Sequence, residues 1–280
     1  MRLVTFKTRS GAAQIGVLMN EQIRALDSDK YPDMTAFLAA GSAALADAEA
    51  ATKASQRTYS LNEVTLLAPV PRPGKIIAVG LNYMDHAIET KMEIPKTPVI
   101  FAKFTSSING PDAPVVLPKD DPQGDYEAEL AVVIGRTAKG VSESDAMNYV
   151  AGYMPLNDVS ARRWQFADKQ WVRGKSCDTF CPTGPWLTTR DSIPDPHALY
   201  ILMRVNGETV QNSNTSNLIF RIPKLIEFTS EGITLEPGDI IATGTPDGVG
   251  VFRKPPVFLK SGDVMEVDIE GLGVLRNKVA

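Results

Sequence analysis

The sequence predicts a β-rich α+β protein in which a small N-terminal domain precedes a larger one. Three observations carry that expectation. Short runs rich in β-branched and apolar residues recur along the chain and end in Gly, Pro, Asn or Asp. These runs do not alternate regularly with helical patterns, which argues against a doubly wound sheet or a TIM barrel. Finally, Leu66-Leu67-Ala68-Pro69-Val70-Pro71-Arg72-Pro73-Gly74 is proline-dense. Proline lacks an amide donor and biases its predecessor toward extended geometry, so this stretch reads as a stiff connector. Residues 1–65 are therefore assigned to the small domain and residues 66–280 to the larger one.

In chain order, Leu3 to Lys7, Gln14 to Met19 and Gln22 to Leu26 read as strands separated by Ser10-Gly11 and Asn20-Glu21. An Ala-rich helical stretch spans Met34 to Ala54, broken near Gly41. Beyond the connector, Lys75 to Gly80, Pro98 to Lys103, Glu129 to Ile134, Tyr200 to Val205, Asp239 to Thr243 and Val264 to Ile269 read as strands. Asn206-Gly207, Pro237-Gly238, Ser261-Gly262-Asp263 and Gly271 mark turns between them. Two helices are expected. One covers Ser142 to Ala151, capped by Ser142 with Asp145 three residues on. The other covers Ile222 to Ser230, with Pro223 early and Gly232 past its end.

Composition narrows the function classes. The 280 residues are 43% hydrophobic and 22% charged, enough apolar material for a sizeable core and far from collagen, coiled coil or disorder. The 29 Lys+Arg against 33 Asp+Glu leave a net charge of −4, with no general attraction for phosphate backbones or anionic membranes. Nucleic-acid and membrane partners are not expected. Cys177 and Cys181, without a second pair or a neighbouring His, spell neither a disulfide framework nor a zinc site. No apolar stretch reads as a signal peptide or a membrane span, so a cytoplasmic location is expected.

The most informative run is Asp125-Tyr126-Glu127-Ala128-Glu129-Leu130-Ala131-Val132-Val133-Ile134. On a strand, alternation puts Asp125, Glu127 and Glu129 on one face, with neighbours along it about 6–7 Å apart. A solvated edge would also show this pattern. The apolar continuation instead points into a core, where clustered carboxylates repel one another unless a cation sits between them. Oxygen ligands of this kind suit Mg²⁺ or Mn²⁺, with Ca²⁺ also compatible. Asp158, following the apolar end of Pro155-Leu156-Asn157, offers a third carboxylate, or else a helix N-cap.

Of the two histidines, His197 lies in a proline-marked loop and reads as incidental. His86 follows a strand and a glycine turn, and Glu89 three residues on can orient its imidazole on a short helix. An exposed His–Glu pair is the plainer alternative. Gly174-Lys175-Ser176 mimics the end of a Walker A loop, but Lys169 stands where its first glycine belongs. The loop Gly244 to Gly250 lacks dinucleotide spacing. Its amides near Thr245 could still hold a carboxylate, and Lys175 could neutralise an oxyanion.

Taken in order, five motifs resemble the fumarylacetoacetate hydrolase family from about Leu66 onward. They are Asn82-Tyr83-x-x-His86-x-x-Glu89, Asp125-Tyr126-Glu127-x-Glu129-Leu130, Asn157-Asp158-Val159-Ser160-Ala161-Arg162, Gly174-Lys175-Ser176-x-Asp178-x-Phe180 and Thr243-Gly244-Thr245-Pro246-x-Gly248-Val249-Gly250. The resemblance implies a mixed β-sandwich roll, a homodimer and a divalent cation held by Glu127, Glu129 and Asp158. It implies His86 and Glu89 as a water-activating pair and Lys175 as an oxyanion or enolate partner. Gln165, Thr245, Tyr83 and Arg162 are the implied substrate contacts. Arg163 departs from the family, whose members often carry Asp there, and so bears on local substrate contacts.

The chemistry expected from this set is hydrolysis of a carbon–carbon bond in an acylpyruvate-like or 2,4-dioxo acid, releasing pyruvate or a related acid. The alternative, with the same electron sink and no water, is oxaloacetate decarboxylation or 2-oxo acid tautomerisation. A catalytically silent metal-binding scaffold is a third class, and an intact acid–base and ligand set argues against it.

Overall fold

The computed structural model describes residues 1–9, 11–53 and 57–280. Ser10 of the expected first turn and Ala54, the expected end of the Ala-rich helix, lie outside the described residues. An eleven-stranded sheet forms the spine. Its order is Thr58–Ser60, Gln22–Ala25, Gln14–Met19, Arg2–Thr8, Leu187–Thr189, Val150–Asn157, Ala128–Ile134, Ile240–Ala242, Ile76–Gly80 and Val99–Lys103, with Val64–Leu67 also paired to Arg2–Thr8. A second sheet packs beside it in the order Glu208–Asn214, Tyr200–Val205, Val264–Ile269, Gly273–Lys278. The result is a β-rich α+β fold.

The proline connector does not separate two sheets. Arg2 pairs with Thr188 and Leu3 with Leu187, so the N-terminal strands extend the sheet of the larger part of the chain. Leu66 and Leu67, at the start of the connector, are themselves paired with Phe6 and Thr5.

Ala128–Ile134 is buried along its whole length, which is why it reads as a nearly unbroken apolar run. Leu130, Val132 and Ile134 face a core shared with Ile201, Met203, Val267 and Ile269 of the second sheet. Ala131 and Val133 face the opposite way, toward Phe37, Leu38, Ala44 and Ala48. Those residues belong to the helices Met34–Ala39 and Ser42–Lys53, parted at Gly41, whose φ of +61° suits glycine. Among the described residues no helix is long and apolar enough to cross a membrane.

The helix expected over Ser142 to Ala151 does not form. Ser142 does bond Asp145 at 2.8 Å, but only a 3-10 turn, Ala146–Tyr149, follows before the strand Val150–Asn157 begins. That strand pairs with Ala128–Ile134 and, at Gly152 and Tyr153, with Leu187–Thr189. Long-range pairing at the centre of a sheet outweighs a local cap. Gly152 and Pro155 disguise this strand in the sequence; Pro155 has no amide to donate, and its carbonyl accepts from the Gly184 amide at 3.1 Å.

His197 is not incidental. Its Nε2 accepts from the Ile222 amide at 3.3 Å, at the start of the helix Ile222–Gly232. Burial lowers its pKa from the usual value, outweighing the opposing pull of Asp195. The neutral imidazole is therefore the form the fold favours. Its contribution to stability is complete above about pH 6.5, the unfolded value. It is lost as pH falls through the lower folded value. His197→Gln is expected to show a shallower fall of thermal stability between about pH 7 and pH 5 than the parent chain. Identical slopes in the two melting-temperature profiles would remove His197 from the account.

Candidate metal centre and active site

Glu127, Glu129 and Asp158 converge at the heart of the molecule. Each is buried, and one oxygen from each lies within 4.8 Å of the others. The strand Ala128–Ile134 carries Glu129, and Glu127 immediately precedes it. Asp158 follows the neighbouring strand Val150–Asn157, and its amide bonds the Glu127 carbonyl at 2.9 Å. It caps no helix: the next one, Arg162–Ala167, begins after Ala161.

Asp125 does not join them. The ladder breaks at residues 126–127, and Gly124–Asp125 pairs instead with Ser160–Ala161. Asp125 accepts from the amides of Tyr126, Gly250 and Val251 at 2.9, 2.8 and 3.0 Å and from Arg162 Nε at 2.8 Å. It is a structural anchor.

Three cations balance these charges. Lys175 Nζ lies 2.8 Å from both Glu127 Oε2 and Asp158 Oδ2. Arg162 Nη2 is 2.7 Å from Glu127 Oε1. Lys103, at the end of the strand Val99–Lys103, pairs with Asp158 and also donates to the Lys175 carbonyl. The sequence reading missed Lys103. A lysine closing an apolar strand was the available signal, but it looks the same as one reaching solvent.

Burial alone would raise the Glu127 carboxyl, but Lys175 and Arg162 outweigh it and hold the pKa low. Burial would likewise lower the Lys175 ammonium, and Asp158 and Glu127 keep it raised and charged. Glu129 differs. Burial and then the charges of Asp158 and Glu127 push its pKa well up. It accepts from the Gly244 amide at 2.8 Å, and no cationic side chain among the described residues pairs with it. A buried set of three hard oxygen donors, one of them without a cationic partner, fits a divalent cation.

Beside the triad opens a cavity of about 280 Å³, lined by Glu127, Lys175, Arg162, Gln165, Thr245 and His86 and walled by Val79, Phe101, Trp171 and Phe252. Glycine makes the approach of Lys175 possible. A Cβ at Gly174 would fall 2.7 Å from the Gln165 amide nitrogen, so the helix Val172–Lys175 could not otherwise pack on Arg162–Ala167. His86 lies on the helix Met84–Thr90, with Nδ1 3.0 Å from Glu89 Oε2. Glu89 Oε1 in turn accepts from the Gly248 amide at 3.0 Å. With Nδ1 engaged, Nε2 is the ring atom left for the cavity.

The implied substrate contacts separate into two groups. Gln165 Oε1 accepts from Arg162 Nη1 at 2.9 Å, leaving the Gln165 amide hydrogens for the cavity. Arg162 is itself committed to Asp125, Glu127 and Gln165, so it acts chiefly as a brace. Tyr83 lies apart from these. It is fully buried in the core against the second sheet and does not line the cavity. The adjacent Asn82 explains the motif: its side chain bonds Phe220 and Thr243 backbone atoms at 2.8–3.0 Å, fixing the turn before the His86 helix. Arg163 is exposed and donates to the Asp120 carbonyl, away from the cavity.

This fold has known counterparts. The family model for the fumarylacetoacetate hydrolase C-terminal domain matches residues 75–280, and one described as Rv2993c-like, N-terminal, matches residues 1–69. The chain belongs to the fumarylacetoacetate hydrolase family, a family of enzymes. It is 48% identical over 287 residues to a mitochondrial oxaloacetate tautomerase of Xenopus laevis, covering 100% of this chain and 90% of that protein. It is 52% identical over 214 residues to a 2,4-didehydro-3-deoxy-L-rhamnonate hydrolase of a Sphingomonas strain, covering 76% and 75%. Among solved structures, a putative HpcE protein of Mycobacterium smegmatis superposes with a TM-score of 0.90 at 38% identity, covering 100% of this chain and 99% of that one. Maleylpyruvate hydrolase of Sphingobium sp. SYK-6, in complex with manganese(II) and pyruvate, gives 0.85 at 34% identity with the same coverage.

The crowding of carboxylates makes a test that needs no substrate. Glu129→Gln removes a repelling charge, so the cation-free variant is expected to melt no lower than the parent. Mn²⁺ at about a hundred times its Kd should stabilise the parent by about 2.7 kcal/mol. The variant should lose most of that gain. An undiminished Mn²⁺-dependent rise in its melting temperature would exclude Glu129 as a ligand.

Proposed function

We propose that the protein is a tautomerase of oxaloacetate, or of a 2-oxo acid of similar size, dependent on a divalent cation. The observation that carries this reading is one cavity, lined by Glu127 of the carboxylate triad, an ammonium, two neutral donors and an oriented imidazole. Identity to oxaloacetate tautomerases over 88–100% of the chain supports placing tautomerisation ahead of hydrolysis, which the sequence put first. The hydrolases match either less of it, 76% at 52% identity, or all of it at 34% identity. Mg²⁺ or Mn²⁺ as the cation and a homodimer in the cytoplasm belong to the same reading; the free thiols of Cys177 and Cys181 are compatible with that compartment.

Glu127, Glu129 and Asp158 would hold the cation, which when bound supplies a Lewis acid that draws electron density from the 2-oxo group. The other tasks fall to the chain. Thr245 and Gln165 offer hydrogen-bond donors to the substrate carboxylate. His86, oriented through Nδ1 by Glu89, takes a proton from the carbon next to the oxo group at Nε2. The Lys175 ammonium stabilises the negative charge that develops on the oxygen. Return of the proton held at His86 Nε2 to that oxygen completes the enol and regenerates the neutral imidazole, and the reverse sequence restores the ketone, so atoms and charge balance.

Hydrolysis of a 2,4-dioxo acid is the second reading, favoured by the His86–Glu89 pair. In it His86 takes its proton from water, which attacks the 4-oxo carbon. The bond between carbons 3 and 4 then breaks, leaving an enolate that is protonated on carbon.

Three assays on the purified chain with Mg²⁺ separate these readings: decay of enol-oxaloacetate absorbance, pyruvate release from a panel of acylpyruvates, and pyruvate release from oxaloacetate. Accelerated enol decay without pyruvate release is expected. His86→Ala is expected to slow tautomerisation, and any acylpyruvate cleavage, by about two to four powers of ten. Any oxaloacetate decarboxylation, which needs no base, should largely survive. Parental tautomerisation in His86→Ala would return the pair to a structural role, and rapid acylpyruvate cleavage by the parent would put hydrolysis first.

A further inference from the structure

Gln211 is 1% exposed and lies in the strand Glu208–Asn214 of the second sheet, remote in sequence from every family motif. Its amide serves three partners. Oε1 accepts from the Ala128 amide at 2.9 Å. Nε2 donates to Thr245 Oγ1 and to the Pro246 carbonyl, both at 2.9 Å. Ala128 stands between Glu127 and Glu129, and Thr245 lines the cavity. One side chain thus ties the carboxylate-bearing strand to the glycine-rich loop. The loop lies flat on the Gln211 strand: Gly248 has φ of +95°, and a Cβ there would fall 2.1 Å from the Val210 carbonyl oxygen.

The sense of the bond to Thr245 is fixed. An amide nitrogen can only donate, so Oγ1 must accept, and the hydroxyl proton is left for a different acceptor. No hydrogen bond among the described residues uses that proton.

We propose that Gln211 is a positioning residue that holds Thr245 with its hydroxyl proton directed into the cavity, as a donor to the carboxylate of a 2-oxo acid. The assignment rests on the reading of the cavity as a 2-oxo acid site. It predicts that Gln211 and Thr245 act as one unit in ligand binding, although only Thr245 lines the cavity. A purely architectural glutamine would weaken binding by the same factor with or without the Thr245 hydroxyl.

The test is a double-mutant cycle read by calorimetric titration of pyruvate into the chain at saturating Mn²⁺, with thermal unfolding as a check on each variant. Gln211→Met keeps the length and removes both amide functions, and Thr245→Val removes the hydroxyl. Each is expected to raise the pyruvate Kd about ten- to a hundredfold, the range for a hydrogen bond to a charged group. The double variant should be no weaker than the weaker single one. Gln211→Glu, which keeps an acceptor for the Ala128 amide, replaces Gln211→Met in the cycle if the latter does not fold. Failure of the parent to bind pyruvate would overturn the reading of the cavity and this assignment with it. Parental binding that Gln211→Met leaves unchanged, or effects that multiply in the double variant, would overturn the assignment alone.

Discussion

Glu127, Glu129 and Asp158 hold three carboxylates within 4.8 Å of one another in the protein interior. At an effective dielectric of about 20, each such like-charge pair opposes folding by on the order of 3–4 kcal/mol. Much of the surrounding structure answers that repulsion. Lys103 neutralises Asp158 from the sheet edge, Lys175 bridges Asp158 and Glu127 from a short helix, and Arg162 reaches Glu127 from another. Glu129, left without a cationic side chain, gives the cluster its affinity for positive charge.

The same balance shapes the cavity. Arg162 answers a carboxylate and is therefore fixed, and being fixed it orients Gln165. Asp125 holds Arg162 from behind and caps the amides of Gly250 and Val251, next to the Phe252 ring that packs near His86. Lys175 is kept charged by the carboxylates it neutralises. Side chains that satisfy the interior electrostatically also line the cavity.

Period-two alternation made one face of Glu127 and Glu129 legible, because their strand is buried on both sides and continues as an apolar run. The alternation misplaced Asp125, since a break in the ladder between it and the main strand leaves no mark in residue type. Spacing brought His86 and Glu89 together, because i and i+3 on a helix is a local relation. Lys103 and Gln211 were illegible for the opposite reason. Their partners lie 55 and 34 residues away, and Gln211 sits in Glu-Thr-Val-Gln-Asn-Ser-Asn, a strand with no apolar alternation to announce it. The depth of Tyr83 was not legible, because a motif shared with a family says which residues recur, whereas burial depends on the whole fold.

The central claim is that the three carboxylates share one divalent cation beside the cavity. Anomalous diffraction from crystals soaked in Mn²⁺ tests it directly. The account predicts a single strong peak with a carboxylate oxygen of each of Glu127, Glu129 and Asp158 at about 2.0–2.6 Å, the span of hard-cation coordination. A cluster that stays free of anomalous density while Mn²⁺ binds elsewhere on the same molecule would contradict it.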